Sequence, residues 1–306
     1  MPKILVSGLI NIETTLRIES FPIPYTPVRY PFFGLCTAVS GVGYNIARAL
    51  TMLGDEVRLL SLIGRDPLAE FVRAALVRDG ISGRDVLDVV DETAQSVILY
   101  DGEGRRQINV DLKDIQETEF PAGRFKPAQN GCDVLVLCNI NFSRPFLEPA
   151  RKSGKPIATD VHALTDLDDS YNKDFMRAAD ILFMSHEWLP VPPEEWAKRV
   201  WNRYGPEILV IGMGAEGALL AVKGDNFIER FPAVRARPVV NTIGAGDAQF
   251  SAFVHYYAKT RDPYLALRKA MVFASYKIGA ASASDGFLSE DELEALFNNG
   301  LKEWRS

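Results

Sequence analysis

The chain has 306 residues, 47% of them apolar, and its 34 lysines and arginines against 40 aspartates and glutamates leave a net charge of −6. That length and apolar content suit one large α/β domain or two smaller ones around a sizeable core, and exclude a disordered chain or a mini-protein scaffold. With no basic run, neither nucleic acid nor an anionic membrane surface is expected as principal partner, which leaves small molecules.

In chain order, Lys3 to Ile10 is an apolar run far shorter than a membrane span and without a cleavage-site pattern, so it predicts a first buried strand. Tyr44 to Leu53 repeats Ile46, Ala47, Leu50 and Leu53 at helical spacing, with Gly54 placed to cap the end. Val57 to Ile63 predicts a strand. Asp66 and Pro67 then form an N-cap and first-turn pair for a helix that runs to Gly80. Strands separated by helices in this way indicate crossover connections and a parallel sheet.

Two stretches interrupt that alternation. Glu19 to Ala38 contains Pro22, Pro24, Pro27 and Pro31 with Tyr25, Tyr30, Phe32 and Phe33, and Ser96 to Tyr100 is joined to Arg106 to Val110 by a hairpin sequence, Asp101-Gly102-Glu103-Gly104. Segments near 12–40 and 95–111 are therefore expected to leave the main sheet and form a small β lid. The alternation resumes with strands at Asp133 to Cys138, Pro156 to Asp160, Ile181 to Met184, Glu207 to Ile211 and Gly217 to Val222. Helices are expected before Gly154, through Trp196 to Tyr204, and over much of the C-terminal part. No linker or repeat appears, so residues 1–306 are read as one domain with a lid.

Cys36, Cys132 and Cys138 are an odd set without CxxC spacing, which suits reduced thiols and a cytoplasmic location. His162, His186 and His255 include no HExxH pair, so no zinc ligand set is expected.

The segment richest in chemistry is Asn241-Thr242-Ile243-Gly244-Ala245-Gly246-Asp247, followed by a helical run. Glycines at a helix N-terminus expose unpaired N–H groups to an anion, and Asp247 could take a proton from a hydroxyl while those groups hold a phosphoryl group in transfer. The bland reading makes Asp247 a helix cap. Ser40-Gly41-Val42-Gly43-Tyr44-Asn45 is a second glycine turn before a helix, where Asn45 either caps or binds a ligand hydroxyl. Asn11 and Glu13 follow the first strand, where open α/β sheets bind ligands, although such a pair is also ordinary loop. Gly212-Met213-Gly214-Ala215-Glu216-Gly217 fits GxGxxG but is followed by strand-like Ala218 to Val222, so a dinucleotide site lacks its helix; no Walker sequence exists.

Together these residues resemble the ribokinase (PfkB) family of carbohydrate and nucleoside kinases over nearly the whole chain. Asn241 to Asp247 is similar to its DTxGAGD signature, Ser40 to Asn45 to its GGxxxN signature, and Gly8 to Glu13 to its GxxNxD strand end. The resemblance implies a three-layer α/β fold, a mostly parallel sheet flanked by helices with a small β lid, and homodimerisation through that lid. It implies Asp247 as catalytic base, Gly244, Ala245 and Gly246 as the anion hole, and Asn11, Glu13, Gly41 and Asn45 as acceptor ligands. ATP would lie along Gly212, Gly214, Gly217, Thr242 and the segment 274–283, Ala274 and Ile278 included, with magnesium held mostly by phosphates and water.

Several positions depart from the family pattern. Asn241 replaces an aspartate that in some relatives helps bind an activating monovalent cation, leaving an amide oxygen as the ligand for potassium. Ser40 replaces a glycine, Glu13 a shorter aspartate, and Gln249 a common phenylalanine. Glu187, in Ser185-His186-Glu187, is the residue the resemblance offers near the magnesium phosphates. The expected activity is ATP-dependent phosphorylation of a primary hydroxyl on a small sugar. A nucleoside kinase is the alternative, with Tyr25, Phe32 and Phe33 available to stack on a base, and a non-catalytic ligand-binding relative is the third reading.

Overall fold

The computed structural model describes residues 1–280 and 282–300. The chain opens with β1 (Lys3–Ser7), β2 (Asn11–Arg17), β3 (Leu35–Ser40) and α1 (Val42–Met52). Next come β4 (Glu56–Gly64), α2 (Pro67–Arg78), β5 (Val86–Val90), β6 (Gln95–Tyr100), β7 (Arg106–Asp111) and α3 (Ala122–Gln129). The middle holds β8 (Val134–Leu137), α4 (Leu147–Ser153), β9 (Ile157–Ala163), α5 (Lys173–Ala178), β10 (Ile181–Ser185) and α6 (Pro193–Arg203). Strands β11 (Ile208–Gly212), β12 (Ala218–Val222) and β13 (Phe227–Phe231) precede α7 (Ala245–Thr260), α8 (Pro263–Lys277) and α9 (Glu290–Gly300).

These strands form a nine-stranded sheet, ordered β13-β12-β11-β10-β9-β8-β1-β4-β5, and a four-stranded sheet, ordered β3-β2-β6-β7. The large sheet is parallel from β11 to β5, and β12 and β13 add an antiparallel edge. Because successive strand residues face opposite sides, Ile4 and Val6 enter one core with α1, α7 and α8, while Leu5 enters another with Phe146, Phe175 and Trp196. A parallel sheet covered on both faces is what near-continuous apolar strands require.

The sequence expected β1 to reach Ile10, but it ends at Ser7. Gly8 and Gly43 cross so closely that a Cβ on Gly43 would lie 2.4 Å from the Gly8 carbonyl carbon. The Gly43 N–H donates to the Leu9 carbonyl at 3.0 Å, which turns the chain out of the large sheet. Asn11 and Glu13 consequently start β2 of the second sheet rather than a loop. There β2 pairs in parallel with β6 and antiparallel with β3, a pairing between remote segments that local patterning does not reveal. The expected hairpin joins β6 to β7, with Asp101 Oδ1 accepting the Glu103 and Arg105 N–H groups at 3.0 Å. Asp66 caps α2 as expected, accepting the Ala69 N–H at 3.2 Å. Among the described residues no helix is long and apolar enough to cross a membrane.

Candidate active site

A cavity of about 220 Å³ lies where the small sheet faces the end of β1, the end of β9 and the start of α7. Asn11, Glu13, Gly41, Asn45, Thr242 and the stretch 244–247 all line it, so three distant sequence segments meet here. Asn11 Nδ2 donates to Ser96 Oγ at 2.9 Å, and Glu13 Oε2 accepts from Ser40 Oγ at 3.0 Å. Asn11 Oδ1 and Glu13 Oε1 are both buried without a partner. Leaving such an atom unpaired costs about 1–3 kcal/mol, and a ligand hydroxyl donating to each would remove that cost.

The same polar chain reaches the glycine turn. Ser40 Oγ is also 3.3 Å from Asn45 Oδ1, and Asn45 Nδ2 donates to Asp247 Oδ2 at 2.8 Å. Asn45 therefore caps nothing: Gly41 is the N-cap of α1 and offers no side chain. Asp247 is likewise no cap, because α7 begins after Gly244, a residue with φ of 74°. Only glycine fits there without strain, since a Cβ would also approach the Ala283 carbonyl to 2.6 Å. Burial pushes the Asp247 carboxyl up to about 6, the Asn45 hydrogen bond and the charge of His162 opposing the rise. Burial also raises Glu13, with the Ser40 hydroxyl working against it.

A pfkB family carbohydrate kinase profile matches residues 1–291 of the chain. This chain belongs to the pfkB family of carbohydrate kinases. Family members are ATP-dependent kinases that phosphorylate sugar hydroxyls. The acarbose 7(IV)-phosphotransferase of Actinoplanes sp. is 25% identical over 277 residues, covering 89% of this chain and 91% of the relative. A deoxyribokinase of Salmonella typhi is 24% identical over 263 residues, 82% of this chain and 85% of the relative. The structure of a microbiome-derived acarbose kinase superposes with a TM-score of 0.86 at 25% identity, covering 97% of this chain and 99% of that one. Ribokinase from Thermotoga maritima shares the fold at a TM-score of 0.80 and 20% identity, over 98% of this chain and 100% of that one. The ribokinase-like architecture expected from the sequence is thus the one observed.

Of the residues offered for the kinase's donor nucleotide, Thr242 lines the cavity, whereas Gly212, Gly214, Gly217, Ala274 and Ile278 lie outside its lining. Gly212 ends β11 near Gln249, a Cβ on it falling 3.6 Å from Gln249 Oε1, so the β11 end and the first turns of α7 are neighbours. Gly217 has a reason of its own: with φ of 104°, a Cβ there would lie 2.0 Å from the Phe231 carbonyl oxygen, so packing against the end of β13 demands glycine. Its GxGxxG run turns from β11 straight into antiparallel β12, as the dinucleotide reading's exclusion required. Ala274 packs against the core, and the Ile278 carbonyl accepts the Val240 and Asn241 N–H groups at 2.8 and 3.2 Å, pinning the approach to the turn. Ala281, within the expected nucleotide segment, lies outside the described residues.

Glu187 is exposed just beyond β10, its N–H held by Ser185 Oγ at 3.1 Å, and it stands apart from the cavity lining. Neighbouring His186 Nδ1 lies 2.9 Å from the Gly212 carbonyl oxygen, which keeps the two strand ends together. Asn241 Oδ1 accepts the Ile243 N–H at 3.0 Å and Nδ2 donates to the Ala280 carbonyl at 3.1 Å, so its amide braces the turn. The three aromatics offered for base stacking are solvent-facing, with Tyr25 at 92%, Phe32 at 84% and Phe33 at 106% exposure. They are absent from the cavity lining, whose apolar part on the small sheet is Ile98, Ile108 and Val110.

Sequence reasoning missed Ser96, Arg106, Asp160, His162 and Lys277. Arg106 crosses from β7 to donate to Thr242 Oγ1 at 2.7 Å, joining the small sheet to the turn. Asp160 and His162 end β9 in the cavity, and a Cβ on Gly246 would lie 4.0 Å from Asp160 Oδ2. Asp160 had a usable signal, an acidic residue at the carboxyl end of an apolar run. Arg106 had none, because only the fold brings a hairpin arginine to a turn 136 residues away.

Proposed function

We propose that this kinase transfers the γ-phosphoryl group of ATP to a primary hydroxyl of a small sugar, with Asp247 as general base. The observation that carries the reading is the continuous chain Glu13, Ser40, Asn45, Asp247 ending at the Gly244–Gly246 turn in one cavity. Asn11 Oδ1 and Glu13 Oε1, with Asn45 and the Gly41 main chain, hold the acceptor's hydroxyls. The hydroxyl oxygen attacks the γ-phosphorus, its proton passes to Asp247, and ADP leaves. Main-chain N–H groups of Gly244, Ala245 and Gly246, at the positive end of the α7 dipole, stabilise charge on the transferring group.

Magnesium would neutralise phosphate charge. That ion would be carried mostly by phosphate oxygens and water. Asp160 is the carboxylate best placed to face it. The donor nucleotide would lie over Gly212, Gly214 and Thr242.

Among the described residues no Phe, Tyr or Trp lines the cavity for a base to stack on, which supports a sugar over a nucleoside. The nucleoside kinase of Burkholderia thailandensis in complex with inosine, at a TM-score of 0.79 and 18% identity, keeps inosine in the test panel as a matter of fold alone. The exposed Tyr25, Tyr30, Phe32 and Phe33 support a homodimer through the small sheet as lid, and the free thiols of Cys36, Cys132 and Cys138 support a cytoplasmic setting. The deciding measurement is ADP release from magnesium–ATP with ribose, 2-deoxyribose, fructose, acarbose and inosine. Turnover of a sugar is expected; tight binding without turnover sinks catalysis, and turnover of inosine alone replaces the sugar reading.

A further inference from the structure

Lys277, the last residue of α8, has no exposed surface at all. Its ammonium donates to the Ser282 carbonyl at 2.8 Å and to the Ile243 carbonyl. Both partners are main-chain carbonyls rather than carboxylates. Lysine is almost never fully buried unless its charge is answered, because taking an ammonium out of water is costly. Here desolvation pushes its pKa down to about 8, against the attraction of Glu13, Asp247 and Asp285, while Arg237 adds to the depression.

The acceptors show where this charge acts. Ile243 immediately precedes Gly244, the residue that starts the glycine turn. Ser282 belongs to the loop whose next carbonyl, that of Ala283, backs Gly244 so closely. Asn241 and the Ile278 carbonyl join the same two loops from the other side. The ammonium also draws both buried carboxylates of the cavity, Glu13 and Asp247, towards their charged forms, against the burial that raises them.

We propose that Lys277 is a built-in cation for phosphoryl transfer, clamping the Ile243 and Ser282 carbonyls beneath the Gly244–Gly246 turn and lending its positive charge to the Asp247 and Glu13 carboxylates. It is a positioning residue, since it touches neither reacting group. The inference rests on the assignment of that turn to phosphoryl transfer.

Three variants test it. Lys277→Ala opens a carbonyl-lined cavity fit for a small cation, Lys277→Gln keeps an N–H donor without charge, and Asp247→Asn tests the site itself. ADP release from magnesium–ATP is measured with the fastest acceptor of the panel above, first in tetramethylammonium chloride and then in ammonium or methylammonium chloride at equal ionic strength. Melting curves in each salt establish that the assayed protein is folded. Both Lys277 variants should lose kcat by about 10²-fold, the scale expected when a catalytic turn is displaced, with a smaller change in KM for ATP. Ammonium or methylammonium should raise the kcat of folded Lys277→Ala while leaving wild type and Lys277→Gln unchanged.

A Lys277→Gln enzyme keeping more than about a third of wild-type kcat overturns the proposal, because charge is then dispensable. So does a folded Lys277→Ala that no small cation rescues; if that variant fails to fold, Lys277→Gln decides alone. Loss of kcat in the Lys277 variants with wild-type rates in Asp247→Asn would instead break the underlying assignment. An inactive Asp247→Asn beside fully active Lys277 variants would break only the proposal.

Discussion

The two sheets are built on opposite terms. In the large one β8 and β12 are buried along their whole length, with cores on both faces. In the small one β7 is exposed at every residue, and Val97 and Ile108 keep 46% and 51% of their surface. Each nevertheless supplies half of the cavity: Asp247 and the glycine turn come from helix packed on the large sheet, and Asn11 and Glu13 from β2. The contrast teaches that the half proposed for phosphoryl transfer stands on a core buried on both faces, whereas the half proposed for the acceptor stands on a thin platform held by a few polar links such as Arg106 to Thr242.

The largest effect should come from the half on the buried core. Asp247→Asn keeps side-chain size, so the fold should survive while kcat falls about 10²- to 10⁴-fold, the usual span for removing a general base. A variant that retains more than a tenth of wild-type kcat by steady-state assay denies Asp247 that role. Stability should divide between the sheets in the same way. Phe146 is buried and stacked on Phe125 with centroids 4.4 Å apart, so Phe146→Ala should cost about 3–5 kcal/mol in denaturant unfolding. Val97→Ala on the exposed face should stay within about 0.5 kcal/mol, and equal losses would mean the small sheet is covered by something else.

Acidity offers a sharper test of the turn. A base raised to about 6 in the free enzyme is ionised at neutral pH and protonated below, so kcat/KM should fall about tenfold per pH unit below that value. The stability effect runs the other way. A folded pKa above the ordinary 3.8 means that ionising Asp247 costs stability as pH rises from about 4 through about 6. Asp247→Asn should therefore melt above wild type at pH 7 and approach it near pH 4, and a gap independent of pH would contradict the assigned burial.

Smaller effects belong to the platform. Removing Glu13 or Asn45 by alanine should raise the acceptor KM by about tenfold, one hydrogen bond being worth about 0.5–1.5 kcal/mol, with KM for ATP nearly unchanged; parallel loss for both substrates would move these residues out of the acceptor half. Exchanging tetramethylammonium for potassium should change the wild-type rate least of all, since Asn241 carries no charge and its amide is committed to the Ile243 and Ala280 main chain. Strong potassium activation would show that carbonyl oxygens alone suffice to bind the ion.

The sequence by itself determined much of this protein's framework. Periodicity and glycine placement are local properties, so α2 with its Asp66 cap, the β6–β7 hairpin and the turn at Gly244 could be read from neighbouring residues. The motif residues Asn11, Glu13, Asn45 and Asp247 were legible for the same reason. What they do was not, because a lone Asn45 or Asp247 is equally well a helix cap. Only tertiary structure removed the cap reading, by placing both residues past the N-caps of their helices and their side chains 2.8 Å apart across 202 residues. It also decided where β1 ends, since the crossing of Gly8 over Gly43 is a contact between segments. Arg106 and Lys277 were hidden for the same reason: a surface-type residue in a local pattern becomes a latch or a buried cation only once distant carbonyls close around it.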